Sequence, residues 1–313
     1  KPDSAAPPAG SAQRDRFVTM TDTSTVASRS RMALAALLFG SVCISGSPIF
    51  VRLSEVGPMT TAFWRVALAL LPLIVWTRMT PPADPVRPQT FRDRFLLALP
   101  GVFLAGDLAA WHVALHVTSV ANATLIANMA PIFVTLGSWV LFRAHVSRLF
   151  LAGLGLAFIG IVTLKGGPMA LGNGDVGGDL LAILAAIFYA GYILTIGRLR
   201  SRFSTMTIML WSTSSAAVCM LPIALVFEQG FIPVTLFGWA ILLGLAFFSH
   251  AAGQGLIAYA LAFLPPAFSS LTLLLQPVVA ALLAWMVLSE PVGLLQAIGG
   301  IIVLAGIMVA RRG

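Results

Sequence analysis

Apolar positions along the chain fall into ten runs, separated by short polar or Pro/Gly-rich breaks. The runs are 33–52, 59–77, 95–114, 120–141, 148–164, 180–197, 205–227, 236–262, 267–288 and 293–310. Most reach the length at which an apolar helix crosses a bilayer. Helices are predicted because lipid cannot satisfy free backbone groups. Punctuation is clearest at Pro81-Pro82-Ala83-Asp84-Pro85, at Gly166-Gly167-Pro168 and at Pro265-Pro266. Ten spans of roughly 20 residues use about 200 residues. Short loops remain, with no room for a separate soluble catalytic domain.

The pattern repeats. Residues 114–167 align without a gap onto 260–313 at a constant offset of 146, with 13 identities in 54 positions. The alignment pairs Leu125 with Leu271, Pro131 with Pro277, Trp139 with Trp285, Gly153 with Gly299 and Gly160 with Gly306. Each half holds five runs, so the second copy enters the membrane from the opposite side. Inverted repeats of this kind mark secondary transporters, whose site lies between the halves near the bilayer midplane. The predicted fold is an all-α integral membrane protein of ten transmembrane helices in two inverted five-helix repeats. A disordered cytoplasmic tail covers 1–32, the first repeat 33–167, an outer linker 168–179 and the second repeat 180–313.

Composition agrees. Of 313 residues, 58% are apolar and only 10% charged, against about 25% charged in a soluble domain. The N-terminal stretch is rich in Ala, Pro, Ser and Thr, which predicts disorder, and it lacks the apolar core of a signal peptide. The chain opens at Lys1, and Met20 is a candidate natural start. Cys43 and Cys219 both lie in apolar runs. They read as small buried residues, and two thiols make no metal site.

The net charge of +8 would suggest nucleic acid in a soluble protein. Its distribution gives another reading. With the N-terminus in the cytoplasm, 16 of the 19 basic residues face inward. Only Arg52 and Lys165 fall outside, while Arg65 lies within a span. The positive-inside rule therefore places both termini in the cytoplasm of a multi-pass inner-membrane protein. The basic excess needs no nucleic acid partner.

Gly172-Asn173-Gly174-Asp175-Val176-Gly177 matches G-x-G-x-x-G literally. No strand precedes it and an acid sits where phosphate needs positive surroundings, so it reads as a link between repeats. Arg65 is the one base inside a span. Buried guanidinium is costly unless paired or hydrated, so the residue is either a structural, snorkelling charge or a substrate contact. Asp107 is the one carboxylate inside a span, and Trp111 follows on the same helical face. Asp107 is a candidate ligand for a substrate amine, a candidate proton-coupling group or a structural acceptor.

Asn128, Tyr189, His250, Gln254 and Gln276 also fall near mid-span. Each alone reads as an interhelical hydrogen-bond partner. Together they mark a midplane substrate site. Trp139 and Trp285 read as interface anchors. Pro131 and Pro277 coincide in the repeat and predict matching bends. The paired glycines at 153, 160, 299 and 306 predict close helix packing. No His, Cys, Asp and Glu pattern suggests a metal, and no cofactor is expected.

Phe63-Trp64-Arg65 followed by Ala67, and Ala114-Leu115 leading to Ala121 and Pro131, carry a resemblance. The second half adds Ala260-Leu261 leading to Pro277, then Ser289-Glu290, Gln296-Ala297-Ile298-Gly299-Gly300 and Gly306. In these residues the chain resembles the drug/metabolite transporter superfamily, specifically its EamA-type members, over about 33–310. One departure is visible: a Glu often ends both fourth spans in that family, but Glu290 has Ala144 as its repeat partner. The resemblance implies alternating access and export of small metabolites. Trp111, Tyr189, Trp211 and Tyr259 make the interior look most like bacterial aromatic amino acid exporters.

The expected function is secondary transport, exporting amino acids or related small metabolites across the inner membrane. The expected substrate contacts are Asp107, Trp111, Asn128, Tyr189, Trp211, His250, Gln254, Tyr259 and Gln276. A drug or nucleotide-sugar carrier is the alternative within transport, and an integral-membrane enzyme the alternative outside it. The enzyme reading needs an acid–base or ligand cluster at a membrane edge, which His112, His116, His145 and His250 do not form.

Overall fold

The computed structural model describes residues 11–79, 87–118, 120–166, 175–288 and 293–313, and these contain helices and no strand. The first half comprises α1 (Ser11–Ser45), α2 (Ser47–Leu53), α3 (Pro58–Met79), α4 (Phe91–Val117), α5 (Val120–Ala127), α6 (Ala130–Phe142) and α7 (Arg148–Leu164). The second comprises α8 (Val176–Leu199), α9 (Thr205–Phe227), α10 (Leu236–Gly244), a π-helical segment (Leu245–Gln254), α11 (Gly255–Ala260), α12 (Pro266–Thr272), α13 (Leu275–Leu288) and α14 (Leu294–Ala310).

Eight helical stretches among the described residues are long and apolar enough to cross a membrane. The other two apolar runs, α7 and α14, have 17 residues each. Ser147 caps the start of α7 by accepting from the Phe150 N–H at 2.9 Å. Where an unstructured tail was expected to residue 32, α1 instead begins at Ser11. No Gly or Pro lies between Ser11 and Phe39, so the apolar helix continues backward without a breaker. The stretches 81–85, 167–174 and 289–292, including Glu290, lie outside the described residues. The described end of the glycine-rich motif is a helix cap: Asp175 accepts from the N–H groups of Gly177 and Gly178 at 2.8 and 3.2 Å.

Proline explains the broken spans. Pro131 cannot donate to the carbonyl four residues back, and the fourth span breaks between α5 and α6. Pro277 does the same after Leu273, so α12 and α13 are separate. Tighter bonds three residues apart bridge both breaks: Met129 N–H to Ile126 O at 2.9 Å, and Leu274 N–H to Leu271 O at 3.0 Å.

Helix neighbours respect the 146-residue offset. α4 packs on α8, and the corresponding pair is α1 on the π-helical segment and α11. α4 on α9 corresponds to α3 on the π-helical segment; α6 on α8 corresponds to α1 on α13. α3 packs on α9 and α7 on α14, each against its own counterpart. In the α7–α14 seam a Cβ on Gly153 would collide with Gly306 and Ala310, and one on Gly160 with Gly299 and Val303. The small residues let the two backbones touch. The contacts are reciprocal: 153 meets the partner of 160, and 160 meets the partner of 153.

Large apolar side chains cover the outside of the bundle. Phe39, Trp76, Trp139, Phe248 and Trp285 are each more than half exposed. Apolar area on this scale needs lipid around it.

The two halves are tied at both ends. At one face, Glu228 accepts from the N–H groups of Met59 and Thr60 at 2.7 and 2.9 Å, at the start of α3. Glu55 returns the contact, accepting from Val234 and Thr235 N–H, each at 3.1 Å, and from the Thr235 hydroxyl, at the start of α10. Each half thus places a carboxylate on a helix N-terminus of the other, where unpaired N–H groups and the helix dipole favour negative charge. The Thr235 hydroxyl first, and then its N–H, hold the Glu55 carboxyl below its usual range. At the opposite face Arg202 donates to both oxygens of Asp93, at 2.6 and 3.3 Å.

Candidate functional site

Polar side chains from both halves meet in the middle of the bundle. Asp107 lies 14 residues into α4 from Asp93, about 21 Å along the helix. Arg65 lies seven residues into α3, about 10 Å from its start. Both are half-buried although they belong to packed central helices. They therefore face internal space. Arg65 is within electrostatic reach of Asp107, Tyr189 and Tyr192. Among the described residues Arg65 and Asp107 share no ion pair within 4.0 Å, and the Arg65 Nε is buried without a hydrogen-bond partner.

The second half supplies the rest. Tyr189 and Tyr192, three residues apart on α8, stack with ring centroids 5.9 Å apart. The Tyr192 hydroxyl donates to Gln254 Oε1 at 3.1 Å, and both residues are buried. Tyr189 reaches the side chains of Gln254 and Gln276. The buried Gln276 Nε2 donor has no partner. His250 Nε2 lies 3.0 Å from the Thr213 hydroxyl of α9, while its Nδ1 is unpartnered.

His250 and Gln254 both sit in the π-helical segment. Wider turns of this kind recur at functional sites. Here the segment turns both polar side chains inward, toward α8 and α9.

Trp111 is half-buried and packs its ring against His112, edge to face at 5.1 Å. It stands one turn from Asp107, as the spacing predicts. Trp211 is half-buried against the main core cluster. Two expected residues have other partners. Asn128 donates to Thr124 O of its own helix at 2.8 Å, next to the break before α6. Tyr259 packs on Phe263 at 5.3 Å and interacts with Arg200, beyond the end of α8. Arg200 itself binds Ala258 O at 3.1 Å and Phe203 O at 2.5 Å, and burial lowers its pKa from the ordinary value.

Tyr192 and Thr213 were not singled out by sequence. The available signal was Tyr192 standing three residues after Tyr189, on the same helical face. Among the described residues no group of three or more His, Cys, Asp or Glu could hold a metal ion.

An arrangement of deep, partly unpaired polar groups drawn from both halves suits a small polar ligand. The model of the EamA-like transporter family matches residues 31–165 and again 176–312. Two uncharacterized transporters of Archaeoglobus fulgidus are each 28% identical. One aligns over 270 residues, covering 84% of this chain and 91% of that protein; the other over 285 residues, covering 90% and 97%. The uncharacterized transporter YyaM of Bacillus subtilis is 22% identical over 289 residues, covering 88% and 92%. A solved crystal structure at 20% identity has the same fold, with a TM-score of 0.74 over 91% of this chain and 98% of that one. The chain is a multi-pass membrane transporter, not an enzyme, and it belongs to the EamA-like transporter family.

Proposed function

We propose that the protein is an alternating-access secondary transporter that exports amino acids or related small metabolites from the cytoplasm across the inner membrane. The observation that carries this reading is the convergence of Arg65 and Asp107 with Tyr189, Tyr192, His250, Gln254 and Gln276, from opposite halves, at mid-depth. The reciprocal helix contacts support two inverted five-helix repeats, with α7 and α14 as the fifth span of each. Such repeats relate the two faces by a pseudo-two-fold axis in the membrane plane, as rocking around a fixed central site requires. The basic asymmetry supports cytoplasmic termini, so the Glu55 and Glu228 contacts lie outside and the Asp93–Arg202 pair inside.

Counterflow of labelled amino acids in proteoliposomes tests the function. Saturable exchange is expected; its absence for amino acids, with exchange of nucleotide sugars or cationic drugs instead, would replace the substrate assignment. Orientation is read with a membrane-impermeant maleimide, in a background where Cys43 and Cys219 are Ser. Gly230→Cys should label from outside intact cells and Ser201→Cys should not; the reverse pattern overturns the topology.

A further inference from the structure

We infer that the protein carries a second site, away from the central polar cluster, that binds the headgroup phosphate of an anionic phospholipid. The site is a cavity of about 390 Å³ where the ends of α1, α6, α7, α12 and α14 meet. Arg31 reaches it from α1, Ser138 from α6, His145 from the loop before α7, Phe268 from α12 and Arg311 from just past α14. None of the central polar side chains lines it. Its volume lies within the range of small-ligand sites, about 300–1,000 Å³.

Each half contributes one guanidinium to this cavity. Neither Arg31 nor Arg311 has an ion pair or hydrogen bond among the described residues, and no Asp or Glu side chain lines the recess. Two unpaired guanidinium forks on one cavity match the oxygens of a phosphate. Ser138 adds a buried polar group. It is 2% exposed, and its Oγ has no hydrogen-bond partner. Thr135, three residues earlier, donates to Pro131 O at 2.7 Å, the usual resting bond of a hydroxyl in a helix. Ser138 makes no such bond. A buried hydroxyl left unpaired costs free energy, which an acceptor in the cavity removes. The backbone offers the anion little. Pro265 and Pro266 line the recess and carry no N–H. Gly313 covers the start of α7, where a Cβ on it would meet Ser147 Oγ and Phe150 N. The anion is therefore held by side chains.

Depth selects the source of the phosphate. Trp139 directly follows Ser138 and is 60% exposed, and exposed tryptophan marks the headgroup level of a bilayer. Arg143 ends α6 in the left-handed conformation, at φ 51°, and turns the chain so that residues 144–147 line the cavity. Leu34, Phe150 and Phe268 supply apolar walls. These fit the glycerol and first methylenes of a lipid, whereas a free phosphate would leave them bare. Basic recesses between membrane helices hold anionic headgroups through the same combination. The proposed topology puts this recess in the inner leaflet, but the chemistry of its lining does not depend on that orientation. With Arg31 in the first half and Arg311 in the second, one bound phosphate ties the halves together on this face.

The test uses the full chain in detergent micelles. Dioleoyl phosphatidylglycerol, phosphatidylethanolamine, phosphatidylcholine and inorganic phosphate are added separately at equal concentration. Native mass spectrometry counts bound lipid, and thermal unfolding reports stabilisation. Phosphatidylglycerol should be retained and should raise the midpoint. The two zwitterionic lipids, with the same acyl chains, and inorganic phosphate should bind at least about tenfold more weakly. Arg31→Gln/Arg311→Gln should abolish this preference. Arg78→Gln/Arg92→Gln makes the same change in charge outside the cavity and should keep it. All four arginines are exposed, so neither variant disturbs the packed interior. Equal response to the three lipids, or a preference that survives Arg31→Gln/Arg311→Gln, overturns the proposal. Equal loss in both double variants does so too, since it would mean diffuse attraction to a basic surface. Inorganic phosphate binding as tightly as phosphatidylglycerol would make this a site for a soluble anion and overturn the lipid assignment.

Discussion

Trp111 is the side chain whose removal separates a substrate contact from a scaffold residue most cleanly. It is half-buried, touches His112 by its ring edge and makes no hydrogen bond across helices among the described residues. Trp111→Ala should therefore leave membrane insertion intact and weaken substrate affinity by about tenfold, the equivalent of roughly 1.4 kcal/mol. Saturation kinetics in proteoliposomes measure it; wild-type values would remove Trp111 from the site. Arg65 and Asp107 were legible in sequence because a charge inside an apolar run costs free energy and so stands out. Tyr192 was not, since a tyrosine on an apolar helix looks the same whether it packs or bonds. Its role appears only when Gln254, 62 residues away, closes on its hydroxyl at 3.1 Å. Asn128 shows the opposite case. Its mid-span position suggested a ligand contact, and position alone does not reveal the local bond its amide also makes to the Thr124 carbonyl one turn back.

At the level of elements, the seam between α7 and α14 depends on glycine at every close approach. Gly160→Leu would drive its side chain into Val303 and the backbone of Gly299. Overpacking of this kind costs about 1–3 kcal/mol. Gly155 faces open space, so Gly155→Leu is the matched control. Thermal unfolding in detergent should show a clear loss for the first and little change for the second; equal midpoints would mean the seam adapts. This seam was readable in advance because the glycines recur at the repeat offset. The breaks before α6 and α13 were foreshadowed as bends by Pro131 and Pro277. The π-helical segment was not readable: Leu245–Gln254 holds no proline and only Gly253 near its end, and the segment packs against α1 and α3. Nor was the Asp93–Arg202 pair, because either residue alone reads as one more solvated charge at a helix end.

Across the whole molecule, the central polar cluster is bracketed by contacts between halves at both faces. Any opening on the Glu55 side must release two carboxylates from helix N-termini. Opening on the other side must part a bidentate ion pair. The two ends therefore respond to different conditions. Glu55 has its carboxyl pKa depressed, so its contact is fully present above the ordinary carboxylate range and is lost only as pH falls through the lowered value. Salt screens charge pairs that reach solvent, and Arg202 is exposed.

The 17 residues of α7 and of α14 give each a length of about 26 Å at 1.5 Å per residue. A typical hydrocarbon layer is about 30 Å thick. On this side of the protein the bilayer must pinch inward, or polar ends must be drawn into it. Both carry a strain that grows with lipid chain length. The transporter should thus act as a thickness gauge: flux in proteoliposomes should fall as acyl chains lengthen from 16 to 22 carbons, by way of a helix pair that carries none of the central polar side chains. Flux indifferent to chain length would mean that tilt elsewhere absorbs the mismatch.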